Sequence, residues 1–231
     1  MLLAATIAYT LLAGWVPRMV SYSVGVLLGV TFLDLLPEAV EAADEPHALF
    51  GVVLAGILAF FLLEKAALWR HSHEEGGHGV RKPSGLLILA GDAFHNFVDG
   101  VLIAAAFLAD FRLGLTTTLA VIVHEIPQEI GDFMVLLHAG YARSRALLWN
   151  LAVSFASLAG GLLGYVVLDY AQPLVQYALA LAAACFIYIA VADLIPHLHR
   201  QNPREELWWQ VGLIAVGIGT IGVLGSWLHH D

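Results

Sequence analysis

Charge is scarce in this chain and cysteine almost absent. Only 13% of its 231 residues are charged while 60% are hydrophobic, about half the charged share of an ordinary soluble domain. That balance excludes a soluble globule and implies an integral membrane protein. The single cysteine, Cys185, excludes a disulfide framework and a thiolate metal cluster. Ten basic residues against nineteen acidic give a formal charge of −9, and no basic stripe with interleaved aromatics is present. No nucleic-acid partner is implied. Period-two alternation is also missing, which excludes spanning strands and leaves helices, whose backbone satisfies itself in lipid.

What is there is a series of apolar runs, near 2–16, 20–40, 48–69, 84–108, 113–139, 146–169, 173–195 and 207–228. A helix rising about 1.5 Å per residue needs about 20 residues to cross the hydrocarbon core. The expectation is an all-α integral membrane bundle of eight transmembrane helices, the first one short, forming a single domain over 1–231. The first run has neither a basic leader nor a clear small-x-small cleavage site, so it reads as a short helix rather than a signal peptide.

Alternating eight helices places Arg18, Lys65, Arg70, Arg81, Lys82, Arg143, Arg145, Arg200 and Arg204 on one side and Arg112 alone on the other. Basic residues accumulate in the cytoplasm. Both termini are then expected outside, with the His-rich segment 71–83 as a cytoplasmic loop. Within it His71, His73 and His78 suit weak metal capture, beside the plainer reading of a solvated loop.

Five acids interrupt the fourth and fifth runs: Asp92, Asp99, Glu125, Glu129 and Asp132. At about 2.5–3.5 kcal/mol for each charge facing lipid, their combined cost reaches about 15 kcal/mol, as large as the stability of a whole domain. They must face the bundle interior and be protonated, paired or bound to cations. The basic groups nearby are His95, His124 and His138, all weak bases, so cation binding is the economical resolution.

Helical spacing sharpens this. His95 and Asp99 are four apart, Asn96 and Asp99 three apart, and Asp92 precedes His95 by three. In the next run His124 and Gln128, Glu125 and Glu129, and Gln128 and Asp132 are each four apart. Two facing helices would offer imidazole, carboxylate and carboxamide to one or two ions, a donor set suited to Zn, Fe, Mn or Co rather than Cu(I). Pro127, without an amide hydrogen, is expected to loosen the helix near these ligands. Gly100, Gly131, Gly25 with Gly29, and Gly160 with Gly164 are expected to let helices approach closely.

The paired HNFVDG at 95–100 and HEIPQEIGD at 124–132, with GVLLGVTFLDLLPEA at 25–39, FFLLEKAALWRHSH at 60–73 and FIYIAVADLIP at 186–196, resemble the ZIP (Zrt-, Irt-like protein) metal transporters. The resemblance implies a binuclear metal centre midway across the membrane between the fourth and fifth helices. It makes His95, Asn96, Asp99, His124, Glu125 and Gln128 the ligands, with Asp99, Glu125 and position 128 as bridges. It further implies a multi-pass cell-membrane protein, a homodimer in the lipid bilayer, that carries divalent ions into the cytoplasm by an elevator-like movement. Zn2+ is the favoured substrate, with Cd2+, Fe2+ and Mn2+ as alternatives. Position 128 departs from the motif, which has His where this chain has Gln. The first helix is shorter than the resemblance implies.

Other polar residues carry accessory expectations. Asp34 and Glu38 fall toward an outer mouth, Asp193, His197 and His199 toward an inner one, and Asn150 and Ser154 either complete a ligand shell or bond across helices. Glu64 is expected to act as a structural cap or to pair with Lys65. A different function class is an intramembrane zinc hydrolase, because HEIPQ at 124–128 is close to the H-E-x-x-H zincin pattern. It lacks the second His and has Pro inside the motif.

Overall fold

The apolar runs fold as helices throughout the described part of the chain. The computed structural model describes residues 2–43, 45–74, 82–199 and 207–228, with side chains for 15–43, 45–65, 89–199 and 207–228. Helix α1 runs as Leu2–Val30, a π-helical turn Thr31–Leu35 and a last stretch Leu36–Glu41. Then follow α2 (Pro46–Glu74), α3 (Lys82–Ala109), α4 (Phe111–His138) and α5 (Arg143–Tyr170). Helix α6 comprises Val175–Tyr188, a π-helical turn Ile189–Leu194 and Ile195–His199, and α7 is Leu207–Leu228.

The described residues therefore form seven rods where eight were expected. The first two runs are one helix, with Pro17 inside it. Pro17 and Arg18 interrupt the apolar run, but proline removes only one amide donor, and the helix continues through it. An odd number of alternating rods brings the first and last described helices to start and finish at opposite ends of the bundle. Within the 71–83 segment, residues 71–74 continue α2 and 82–83 open α3; residues 75–81, with His78, and the side chains of His71 and His73 lie outside the described residues.

Both π-helical turns stand just ahead of a proline. Pro37 and Pro196 lack the amide that would bond the carbonyls of Leu33 and Ala192, and each ring crowds that carbonyl. The wider turns 31–35 and 189–194 contain those carbonyls.

Among the described residues, six helices hold stretches apolar and long enough to cross a membrane: Trp15–Glu41, Pro46–Lys65, Leu89–Ala109, Arg143–Tyr170, Gln172–His199 and Leu207–Trp227. Helix α4 is too polar to join them, and it packs among α1, α3 and α5. Packing directions show that it nonetheless traverses the bundle. Gly160 lies against Phe97 and Gly164 against Val101, so α3 and α5 run parallel, two crossings apart. In the same way Gly25 and Gly29 meet Ile214 and Ile218 across α1 and α7, and Gly56 and Phe60 meet Ala184 and Tyr188 across α2 and α6. An odd number of rods lies between the members of every parallel pair, as strict alternation requires.

Glycine permits the closest of these contacts. A Cβ on Gly100 would stand 1.9 Å from the Ser157 carbonyl oxygen, and one on Gly160 would stand 2.0 Å from that of Phe97. Gly131 has nothing within 4 Å of such a Cβ, so its expected packing role is not found. The core between α1, α2, α3 and α6 is filled by Val26, Leu27, Leu35, Leu49, Leu179 and Phe186. Cys185 is a free thiol buried within it.

Candidate metal centre

One residue joins α3 to α4. Asp110 is extended (φ −155°, ψ 141°), and its Oδ1 accepts from the amides of Arg112 at 2.9 Å and Leu113 at 3.1 Å, capping the α4 N-terminus. So short a link fixes the hairpin register. His95 lies fifteen residues before Asp110 and His124 fourteen after it, so the two meet at one height. Each is the fourteenth residue of a 28-residue helix, midway along it. At the other end Gly140, with φ +90°, closes α4 as its own and Tyr141's amides return to Leu137 and Leu136.

Four donor atoms converge there. His95 Nε2 lies 3.4 Å from His124 Nε2, 3.6 Å from Asp99 Oδ2 and 3.3 Å from Glu125 Oε1. His124 Nε2 lies 3.1 Å from Asp99 Oδ2 and 3.8 Å from Glu125 Oε1. A tetrahedron of ligands about 2.0–2.1 Å from a central ion has edges of about 3.3–3.4 Å. The five distances, 3.1–3.8 Å, bracket that edge length.

The arrangement of these groups calls for a shared cation or proton. His124 Nδ1 lies 2.8 Å from the Ala120 carbonyl, which can only accept, so Nδ1 carries a hydrogen and, in the neutral ring, Nε2 presents its lone pair. That lone pair faces a carboxylate oxygen of Asp99. His124 is 1% exposed and Asp99 fully buried, both Asp99 oxygens and Glu125 Oε1 lack a hydrogen-bond donor, and water cannot relieve the repulsion. A shared cation or proton must. Phe186 stands edge-on to the His124 ring with centroids 5.9 Å apart, holding the imidazole from its apolar side.

Asn96 and Gln128 stand apart from this tetrad. Asn96 Nδ2 donates to Asp92 Oδ1 at 3.0 Å and to the Asp92 carbonyl at 3.2 Å, and Gln128 Nε2 donates to Asp92 Oδ1 at 3.3 Å. Both amides are turned toward Asp92, so spacing placed them on the right face without fixing their aim. The zincin pattern has His where this chain has Gln128. Asp92, Glu125 and Glu129 bring one carboxylate oxygen each within 4.8 Å of one another.

The remaining expectations divide. Asn150 and Ser154 bond across helices: Asn150 Nδ2 donates to the Glu129 carbonyl at 2.9 Å, and Ser154 Oγ to Glu129 Oε1 at 2.8 Å. Asp132 is partly buried and belongs to neither donor group. Asp34 and Glu38 line a polar cavity of about 290 Å³ with Glu41, Asp110, Arg112 and Thr116, beside the α3–α4 link. Asp193, His197 and His199 are exposed near the far end of α6. Glu64 accepts from the Tyr188 hydroxyl, while Lys65 lies over the Phe61 ring.

Ser23 was not legible as a site residue. Pro127 deprives the Val123 carbonyl of its usual partner, yet α4 remains α-helical through it, and Ser23 Oγ on α1 lies 2.8 Å from the Val123 oxygen. A second carbonyl, that of Met19, is also 2.8 Å from this hydroxyl. Ser23→Ala strands the Val123 carbonyl at a cost of about 1–3 kcal/mol. A lowered unfolding midpoint of the purified protein in detergent checks this.

Comparison with known proteins gives concordant matches. The family model described as ZIP Zinc transporter matches residues 70–225, a segment containing both motifs. The chain is 34% identical to Zinc transporter ZIP13 of Pongo abelii over 217 residues, covering 87% of this chain and 64% of that protein. It is 40% identical to Zinc transporter ZIP4 of Mus musculus over 141 residues, covering 61% and 20%, and 37% identical to Zinc transporter ZIP10 of Homo sapiens over 150 residues, covering 60% and 18%. The chain thus spans less than two thirds of the length of each of these three relatives. With more than half of its residues inside the family match and its two motifs forming the tetrad, the chain belongs to the ZIP zinc transporter family.

Proposed function

We propose that this chain carries a divalent metal ion, zinc before others, across the membrane toward the cytoplasm by alternating access. One observation carries the reading: the His124 lone pair opposing the Asp99 carboxylate, inside a tetrahedron sized for zinc at the middle of two helices. Two neutral imidazoles and two carboxylates neutralise a divalent ion, so the loaded site has no net charge to carry through hydrocarbon. The ligands are His95, Asp99, His124 and Glu125. Fe2+, Mn2+ and Cd2+ are secondary substrates, since the donor set does not exclude borderline or harder ions.

Orientation follows the basic residues. Arg18, Lys65, Arg143 and Arg145 lie at one end of the bundle and Arg112 at the other, which places the first group in the cytoplasm. The cavity containing Asp34, Glu38 and Arg112 is then the outer entrance. Family resemblance supports a cell-membrane location, a homodimer and an elevator-like movement of the part carrying α3 and α4. Release requires binding loose enough for exchange, and His95, 22% exposed, with Glu125, 14% exposed, forms the accessible side of the tetrad.

Liposomes containing the purified protein and an internal zinc indicator test the reading. Saturable zinc accumulation is expected, with none above protein-free liposomes for His95→Ala combined with Glu125→Ala. Equal accumulation by the double variant would overturn it.

A further inference from the structure

We propose that the Thr117 hydroxyl is a passing ligand for the divalent ion, an oxygen stop on the way from the outer cavity to the tetrad. The proposal rests on the transport reading above. It adds a residue that lies in neither motif.

An apolar barrier separates the cavity from the tetrad, and three helices locate it. On α1 it lies between Asp34, which lines the cavity, and Ser23, which meets Val123 beside His124. On α3 it lies between Ala109 at the cavity and Asp99 in the tetrad, and on α4 between Leu113 and His124. Leu27, Val30, Leu102, Ala106, Leu113 and Ala120 fill it as parts of one buried cluster. None of these side chains can hold an ion.

Thr117 is the exception. It shares one stripe of α4 with Leu113, Ala120, Val121 and His124, about 6 Å along the helix from Leu113 and about 10 Å from His124. It is fully buried, and its Oγ1 has no hydrogen-bond partner. The neighbouring hydroxyls are all engaged: Thr116 donates to the Leu113 carbonyl at 3.2 Å, Thr118 to that of Gly114 at 2.7 Å, and Thr31 on α1 to that of Leu27 at 2.7 Å. Among the described residues Thr117 carries the one buried hydroxyl left bare. The carbonyl one turn back, that of Leu113, already receives the Thr117 amide and the Thr116 hydroxyl, which occupy both its lone pairs.

A bare buried hydroxyl destabilises a fold, and valine would fill the same space without that penalty. The Thr117 oxygen therefore works against stability, at the depth where an inbound ion has left the cavity's carboxylates and has not reached those of the tetrad. Asp34, Glu38, Glu41 and Asp110 outnumber Arg112 around the cavity, a surplus of negative charge that concentrates cations there. When the barrier parts, Thr117 offers one oxygen in place of a hydration water. Because that oxygen is neutral it eases the step without trapping the ion, as a carboxylate at the same depth would.

The test measures zinc accumulation at saturating external zinc in liposomes containing the purified full chain, with calorimetry reading the zinc affinity of the tetrad. Thr117→Val should slow accumulation by about 10-fold, the low end of what one oxygen contact to a charged group contributes. Its zinc affinity should be unchanged and its unfolding midpoint in detergent at or above that of wild type, which a packing role would lower. Thr117→Ser keeps the oxygen and should accumulate zinc at the wild-type rate. A wild-type rate in Thr117→Val, slowing of Thr117→Ser to the rate of Thr117→Val, or weakened zinc binding in Thr117→Val would overturn the proposal while leaving the transport reading standing. No saturable accumulation by wild type would overturn both.

Discussion

His124→Ala is expected to abolish zinc accumulation in liposomes and to weaken zinc binding by at least about 100-fold, more than the 10- to 100-fold typical of residues that merely orient a ligand. The imidazole supplies one corner of the tetrahedron, and its Nδ1 bond to Ala120 fixes which nitrogen that corner presents. Ala removes both and leaves Asp99, fully buried, facing a void. Calorimetry on the purified variant reads the affinity directly. His124→Gln fills the space without the nitrogen lone pair and should recover stability without recovering affinity. Those two readouts separate the ligand role from the packing of His124 against Phe186.

Gly100→Leu should have a comparable effect without touching a ligand. Even a methyl group at this position would stand 1.9 Å from the Ser157 carbonyl oxygen and within 2.8 Å of its carbon, atoms of the α5 backbone that cannot rotate away. Helices α3 and α5 must separate, and α3 carries His95, Asn96 and Asp99. Overpacking of this kind costs about 1–3 kcal/mol at well-packed sites, and a full Leu side chain lies at or beyond the upper end. The expected outcome is a sharply lowered unfolding midpoint in detergent and little transport. Gly131→Ala, with open space around the same atom, should leave the stability within about 0.5 kcal/mol of wild type.

The contrast between these glycines marks what spacing along a chain can reveal. Period and length gave the helices and put His95 with Asp99 on one face and His124 with Glu125 on the next, and the structure joins those four. Spacing places a Cβ but does not aim a side chain, so Asn96 and Gln128 were on the right face yet turn to Asp92. Which glycine meets a backbone is likewise a property of pairs of helices. That is why Gly100 packs tightly and Gly131 does not. The runs 2–16 and 20–40 were counted as two helices where the structure has one, while the consequences of Pro37 and Pro196 as π-helical turns depend on the space beside each helix. Ser23 gave no signal at all, since its importance exists only once α1 lies against the carbonyl that Pro127 leaves free.

Helix α4 shows why local hydropathy was insufficient to count spans. It is too polar to qualify by composition, yet its polarity is the site itself, turned toward α1, α3 and α5. Parallel packing of α3 with α5 requires α4 to cross between them.

X-ray absorption at the zinc edge on the purified chain, loaded with one equivalent of zinc, reads the tetrad most directly. The geometry predicts a four-coordinate first shell of nitrogen and oxygen at about 2.0–2.2 Å, with the outer-shell signature of two imidazoles, falling to one in His95→Ala. A six-coordinate oxygen shell without imidazole, or a wild-type spectrum unchanged in His95→Ala, would contradict the assignment of this cluster as the metal site.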